Sequence, residues 1–202
     1  LEENMISTAE LYGLVLSGGK STRMGTDKGL IPYHGVPQRE YLYHMLGQVC
    51  ERTFISLRPE QTDGLPDEMG VILDEAKVRV PFNVLLSAHN RFPEAAWLVL
   101  ACDLPLMDLP GLKELIGARN PEAMATAFAM QENPLPEPMC AIWEPHSFAA
   151  AQAYLENGPH TCPRKFLINH HTKLVHPTNE NVLWNANSVQ EYREALEKIS
   201  SG

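Results

Sequence analysis

The sequence predicts an α/β fold: a single-domain, doubly wound, mostly parallel sheet flanked by helices. Three observations lead there. Short apolar runs alternate with segments of helical period along most of the chain. The polar stretch 17–28, Asp74 and Asp103 all fall where predicted strands end, which is where open α/β sheets bind ligands. A length of 202 residues is enough for one well-filled core.

Each element has a local cause. "LYGLVL" at 11–16 is an apolar run broken by a double glycine, as a buried strand would be. Over 37–50, Leu42, Met45, Leu46 and Val49 follow the i, i+3, i+4, i+7 rule, with Pro37 near the first turn. "RTFISL" at 52–57 and "MGVIL" at 69–73 are the next strands, the second running into Asp74. Pro81 opens a helix with Phe82, Leu85, Leu86 and His89 on one face. "AAWLVLA" at 95–101 is the most apolar run, a central strand ending at Cys102-Asp103, and a helix over 109–119 follows. "AMATAFAM" at 123–130 fits strand or helix by pattern, and its place in the alternation selects strand. A proline-rich loop, "QENPLPEP", leads to the strand "MCAIW" and a helix over 145–157 closed by Gly158. A shorter helix covers 163–169. Ser188 and Glu191 form a capping box, and Val189, Tyr192, Leu196 and Ile199 line one face of the last helix.

Composition excludes several classes. A net charge of −9 argues against general affinity for nucleic acid or an anionic membrane. A small anionic ligand needs only a local cationic pocket. No run is long enough to span a bilayer, and no basic-then-apolar signal peptide opens the sequence. The four cysteines are scattered without Cys-x-x-Cys, as expected of reduced thiols in a cytoplasmic protein. His170-His171 reads as a solvated pair, because no further ligand lies at a helical or turn spacing.

The stretch "SGGKSTRMGTDK" carries the functional signal. Gly19-Lys20-Ser21 matches the tail of an ATPase P-loop, but the first glycine of that motif would fall at Leu14, inside the strand. The dinucleotide fingerprint fails too, since Gly18 and Gly19 are adjacent and the next glycine is Gly25. An ordinary glycine turn with scattered cations is the plain alternative. Glycines, hydroxyls, Lys20, Arg23 and Lys28 together after a buried strand favour a phosphate cradle. There backbone N–H groups approach the oxygens and the cations offset their charge.

The spacing resembles the L-x-G-G-x-S-x-R-M-G-x-D-K signature of the molybdenum cofactor guanylyltransferases, within the wider nucleotidyltransferase superfamily. The resemblance continues through "GLIPYHGVP", Asp74, "ACDLPLMD" and Asn185-Ala186-Asn187. It implies a Rossmann-like sheet of the nucleotide-diphospho-sugar transferase type over 11–200, with 1–10 an N-terminal extension or tag remnant and the native start at Met5 or upstream. The implied reaction moves GMP from GTP to molybdopterin with release of pyrophosphate and uses Mg²⁺. Leu16, Ser17, Gly18 and Gly19 would then contact the nucleotide, Arg23 and Lys28 the triphosphate, and Asp103 the metal. Ser56 and Asp74 would face the nucleoside, and Asn185 and Asn187 the acceptor.

The same fold and reaction also accommodate another nucleotide or acceptor, as in a cytidylyltransferase or a sugar-phosphate enzyme. An accessory protein that binds nucleotide without turnover is the third possibility. Its motive is that the family's G-P-L-x-G after the aspartate reads Val80-Pro81-Phe82-Asn83-Val84 here, so that Cβ branches at Val80 and Val84 would crowd the site.

Overall fold

The computed structural model describes residues 8–17, 27–74, 81–157 and 161–201. They form one seven-stranded sheet with helices on both faces. The strands are β1 (Leu11–Leu16), β2 (Arg52–Leu57), β3 (Val71–Leu73), β4 (Ala96–Ala101), β5 (Ala125–Phe128), β6 (Cys140–Trp143) and β7 (Thr172–Val175). The helices are α1 (Gln38–Leu46), α2 (Pro81–Arg91), α3 (Leu109–Gly117), α4 (Ser147–Asn157), α5 (Pro163–Asn169) and α6 (Val189–Ser201). The sheet order is β3-β2-β1-β4-β6-β5-β7. β1 pairs in parallel with β2 and β4, β2 with β3, and β5 with β7; β6 runs antiparallel between β4 and β5.

The antiparallel strand follows from its connection. A parallel return needs a crossover of a dozen or more residues, usually a helix. The connection from β5 to β6 carries Pro134, Pro136 and Pro138, which disfavour a crossover helix, and the chain turns back beside itself. β7 was not expected from the sequence: "TKLV" is short and never fully buried, and its alternation is weak.

Strand alternation divides the core between the two faces. On one, Val15, Ile55, Leu98 and Leu100 pack with Leu42 and Leu46 of α1 and Leu112 and Leu115 of α3. On the other, Leu14, Phe54, Trp97, Val99 and Trp143 pack with Phe82 and Leu85 of α2, Phe148 of α4 and Phe166 of α5. Gly13 lets α1 lie close, since a Cβ there would stand 3.0 Å from Leu46 Cβ. Leu196 and Ile199 of α6 pack beside buried Ile31, Tyr33 and Ala186 as expected, but Val189 is exposed rather than on that face.

One further expectation changes. His170 is not simply solvated: its ring stacks on Phe166 at 4.0 Å and its Nδ1 lies 2.8 Å from the Phe166 carbonyl, whereas His171 is exposed. Val84 lies within α2, the helix expected from Pro81, and packs partly buried against the Leu14–Phe82 side of the core. Val80 and Gly158 lie outside the described residues. All four cysteines are free. Among the described residues, no helix is long and apolar enough to cross a membrane.

Candidate active site

The carboxyl ends of β1, β2, β3 and β4 lie side by side, because these four strands are mutually parallel. Each ends in a polar residue singled out above: Leu16-Ser17 after β1, Ser56 near the end of β2, Asp74 after β3 and Asp103 just past β4. The ladder continues beyond the strands, with Ser17 N–H donating to Ser56 O at 3.2 Å, Cys102 N–H to Leu16 O at 3.2 Å and Asp74 N–H to Leu57 O at 2.8 Å. Gly18, Gly19 and Arg23 lie outside the described residues.

Lys28 enters from a single 3₁₀ turn, Lys28–Leu30, capped by Asp27, whose Oδ1 accepts from Gly29 N–H at 2.9 Å. The turn folds close against β1. A Cβ at Gly29 would sit 2.0 Å from Ser17 Oγ and 3.2 Å from Ser17 Cβ, so any larger residue would have to displace the buried Ser17 side chain. The Lys28 ammonium then lies 3.6 Å from Asp103 Oδ2 and donates to Asn187 Oδ1 at 2.5 Å. Asp103 is held in turn by its backbone, whose carbonyl accepts from Ala186 N–H at 2.9 Å. Residues far apart in sequence thus converge on one ammonium group.

The structure separates the two asparagines. Asn187 belongs to the Lys28 cluster. Asn185 is exposed, donates to Leu183 O at 3.1 Å, and lines a different cavity of about 150 Å³ together with Asn133, Glu137 and Arg164.

Sequence reasoning missed Gln61 and Arg58. Gln61 Nε2 donates to Asp27 Oδ2 and, at 3.5 Å, to Ser17 O, so it bridges these two residues. Arg58 holds Gln61 in place, donating to its Oε1 from Nε at 2.9 Å and from its backbone N–H at 3.1 Å. The only sequence signal was their place directly after a strand.

Polar satisfaction at this end is incomplete. Among the described residues, Ser17 Oγ and Ser56 Oγ are buried with no nitrogen or oxygen partner. Buried hydroxyls normally find partners, and functional sites are where exceptions collect. Cys102 is not a nucleophile here: burial pushes its thiol up to about 12, outweighing the nearby Ser17 hydroxyl that pulls the other way. For a metal, Asp103 supplies hard carboxylate oxygens at an incompletely buried position. No group of three or more His, Cys, Asp or Glu side chains gathers among the described residues. That donor set suits Mg²⁺, which is commonly bound through one or two carboxylates with substrate phosphates and water completing its shell.

The sequence profile described as the MobA-like NTP transferase domain matches residues 13–175. The chain belongs to that family. A molybdenum cofactor biosynthesis bifunctional protein from Synechocystis is 35% identical over 188 residues, covering 93% of this chain and 54% of that protein. A probable molybdenum cofactor guanylyltransferase from Flavobacterium johnsoniae is 30% identical over 128 residues, covering 62% of this chain and 65% of that one. The chain therefore spans between about half and two thirds of the length of these two relatives. Among solved structures, molybdopterin-guanine dinucleotide biosynthesis protein A from Archaeoglobus fulgidus superposes with a TM-score of 0.76 at 19% identity. The match covers 95% of this chain and all of that one, a likeness of fold. The family profile spans the strand ends that carry Ser17, Ser56, Asp74 and Asp103 and stops before Asn185, Asn187 and α6.

Proposed function

We propose that this family member is a nucleotidyltransferase that moves GMP from GTP to molybdopterin and releases pyrophosphate. The observation that carries the reading is the convergence of Lys28, Asp103 and Asn187 at the aligned carboxyl ends of β1 and β4. The names borne by the relatives supply the substrates.

In the reaction an acceptor phosphate oxygen attacks the α-phosphorus of GTP. A new P–O bond forms, the bond to the β-phosphate bridging oxygen breaks, and the electron pair leaves with pyrophosphate. Two polyanions must meet, so the work lies in positioning and charge neutralisation. Lys28 binds the triphosphate and stabilises negative charge building on the leaving group. Arg23 shares that task. Leu16, Ser17, Gly18 and Gly19 offer backbone contacts to the nucleotide, and the buried Ser17 and Ser56 hydroxyls can hydrogen-bond to it. Asp74 orients the nucleoside. Asp103 would hold Mg²⁺, which when bound would offset phosphate charge. Asn187 sets the position of Lys28, and Asn185 faces the acceptor from its separate cavity.

The test is a panel of nucleoside triphosphates with Mg²⁺, scored by calorimetric binding and by pyrophosphate release with and without molybdopterin. Release that requires both GTP and molybdopterin is expected. Release with CTP or with a sugar phosphate alone would replace the guanine and pterin assignments. Binding without release under every condition would replace transfer with an accessory role.

A further inference from the structure

The final helix is tied to the loop lysine by a chain of contacts in which one link has no role in the transfer as described. Lys28 Nζ donates to Asn187 Oδ1. An ammonium only donates, so Asn187 must present its oxygen rather than its amide nitrogen. The Asn187 backbone N–H donates to Glu191 Oε2 at 2.8 Å. The same oxygen accepts from Ser188 Oγ at 2.9 Å, and Ser188 Oγ accepts from Glu191 N–H at 3.2 Å. In an ordinary capping box the carboxylate returns to the N–H of the capping residue. Here it reaches one residue further back, to the residue that grips Lys28. The Asn187 N–H, then the Ser188 hydroxyl, hold the Glu191 carboxyl below its ordinary range, and the Lys28 charge adds to the effect. Tyr33 packs on Tyr192 at 5.3 Å, and Ile31, Tyr33, Ala186 and Ala195 are buried together, so the Lys28 turn and α6 are also joined by apolar contact.

We infer that Glu191 is a positioning residue for Lys28: it fixes Asn187 so that the amide oxygen sets where the ammonium meets phosphate. The inference rests on Lys28 contacting the nucleotide. A helix cap alone would act on the stability of α6 and nowhere else. A positioning residue acts through Lys28, and the two roles separate in a double-mutant cycle.

The experiment uses the full chain and its Glu191→Ala, Lys28→Ala and doubly substituted forms. GTP with Mg²⁺ is titrated calorimetrically and thermal unfolding is followed for each. Glu191→Ala should raise the GTP Kd roughly five- to tenfold, the scale of one charge-assisted contact misplaced, and add nothing on the Lys28→Ala background. Ser188→Ala removes the hydroxyl of the cap and leaves the Asn187–Glu191 bond; it should lower Tm and keep the GTP Kd within about twofold. Glu191→Gln retains an acceptor oxygen and should recover most of the affinity. An equal loss with and without Lys28, or a lowered Tm with unchanged Kd, would overturn the positioning role. Lys28→Ala with unchanged Kd would overturn the phosphate reading and this inference with it. Lys28→Ala with an effect but Glu191→Ala without one would overturn this inference alone. Should Glu191→Ala fail to fold, Glu191→Asp keeps the charge and shortens the reach, and must show the same Lys28-dependent loss.

Discussion

The two ends of the sheet are built to opposite rules. At the amino end of β1, Arg119 and Glu144 form a bidentate pair at 2.7 and 2.8 Å, nearly sealed from water at 11% and 2% side-chain exposure. Arg119 also donates to Ala9 O at 3.0 Å. Nearby, the Arg52 guanidinium lies over Phe92 at 4.7 Å and over Phe54 at 5.2 Å. At the carboxyl end, the Lys28–Asp103 ion pair is looser, at 3.6 Å, and its side chains are 22% and 27% exposed. Unpartnered buried groups do not separate the ends: Ser56 Oγ at the carboxyl end and Thr53 Oγ1 and Trp97 Nε1 at the amino end all lack a hydrogen-bond partner among the described residues. The amino end closes its charged pair on itself and holds the fold. The carboxyl end leaves its charges accessible, as a site that must exchange partners with a ligand requires.

Breaking a pair at each end should therefore give opposite phenotypes. The largest stability effect is expected from Arg119→Met, which leaves the Glu144 carboxylate buried without its counter-charge. A loss of about 3–5 kcal/mol is expected in denaturant unfolding, with transfer per folded molecule unchanged. A variant that lost activity while keeping its stability would contradict the division. Asp103→Ala is the converse. Turnover should fall about 100-fold or more and lose its dependence on Mg²⁺ concentration, with Tm nearly unchanged, because the carboxylate is only partly buried and its partner keeps Asn187. Mg²⁺ titration of the wild-type and variant rates reads this directly, and an unchanged metal dependence would reduce Asp103 to a turn residue.

The smallest effect belongs to the seam between core and loop. Gly29→Ala drives a methyl group into Ser17 and should cost about 1–3 kcal/mol of stability. Adding Ser17→Gly should restore part of it, since the obstructing side chain is then gone. Failure of the second change to help would mean that the turn does not pack on Ser17 as described.

Legibility in the sequence followed the same division of labour. Strands bounded by strong signals were readable to the residue: "LYGLVL" ends at glycines and "RTFISL" is β-branched and apolar. The mostly parallel sheet and the strand-end placement of Ser17, Asp74 and Asp103 followed from alternation alone. β7 was lost because a partly buried strand with a lysine in its middle carries little hydrophobic pattern. The reversal of β6 was readable in principle from the connection before it, since Pro134, Pro136 and Pro138 leave no room there for a crossover helix. Side-chain partnerships were not readable. Nothing at Gln61 announces a bridge to Asp27, and nothing in Asn185-Ala186-Asn187 announces that one asparagine grips Lys28 while the other faces a separate cavity. Those links depend on tertiary placement of loops, which periodicity does not encode.

The most direct test of the phosphate cradle is the GTP dissociation constant of the wild-type chain and of Lys28→Ala, measured by titration calorimetry in the presence of Mg²⁺ on protein verified as folded. Removal of a charge-assisted phosphate contact should cost about 1.5–3 kcal/mol, so Kd should rise roughly ten- to 150-fold while Tm without ligand stays within about 2 °C. An unchanged Kd in a folded Lys28→Ala protein would mean that the ammonium between Asp103 and Asn187 is only a structural clasp.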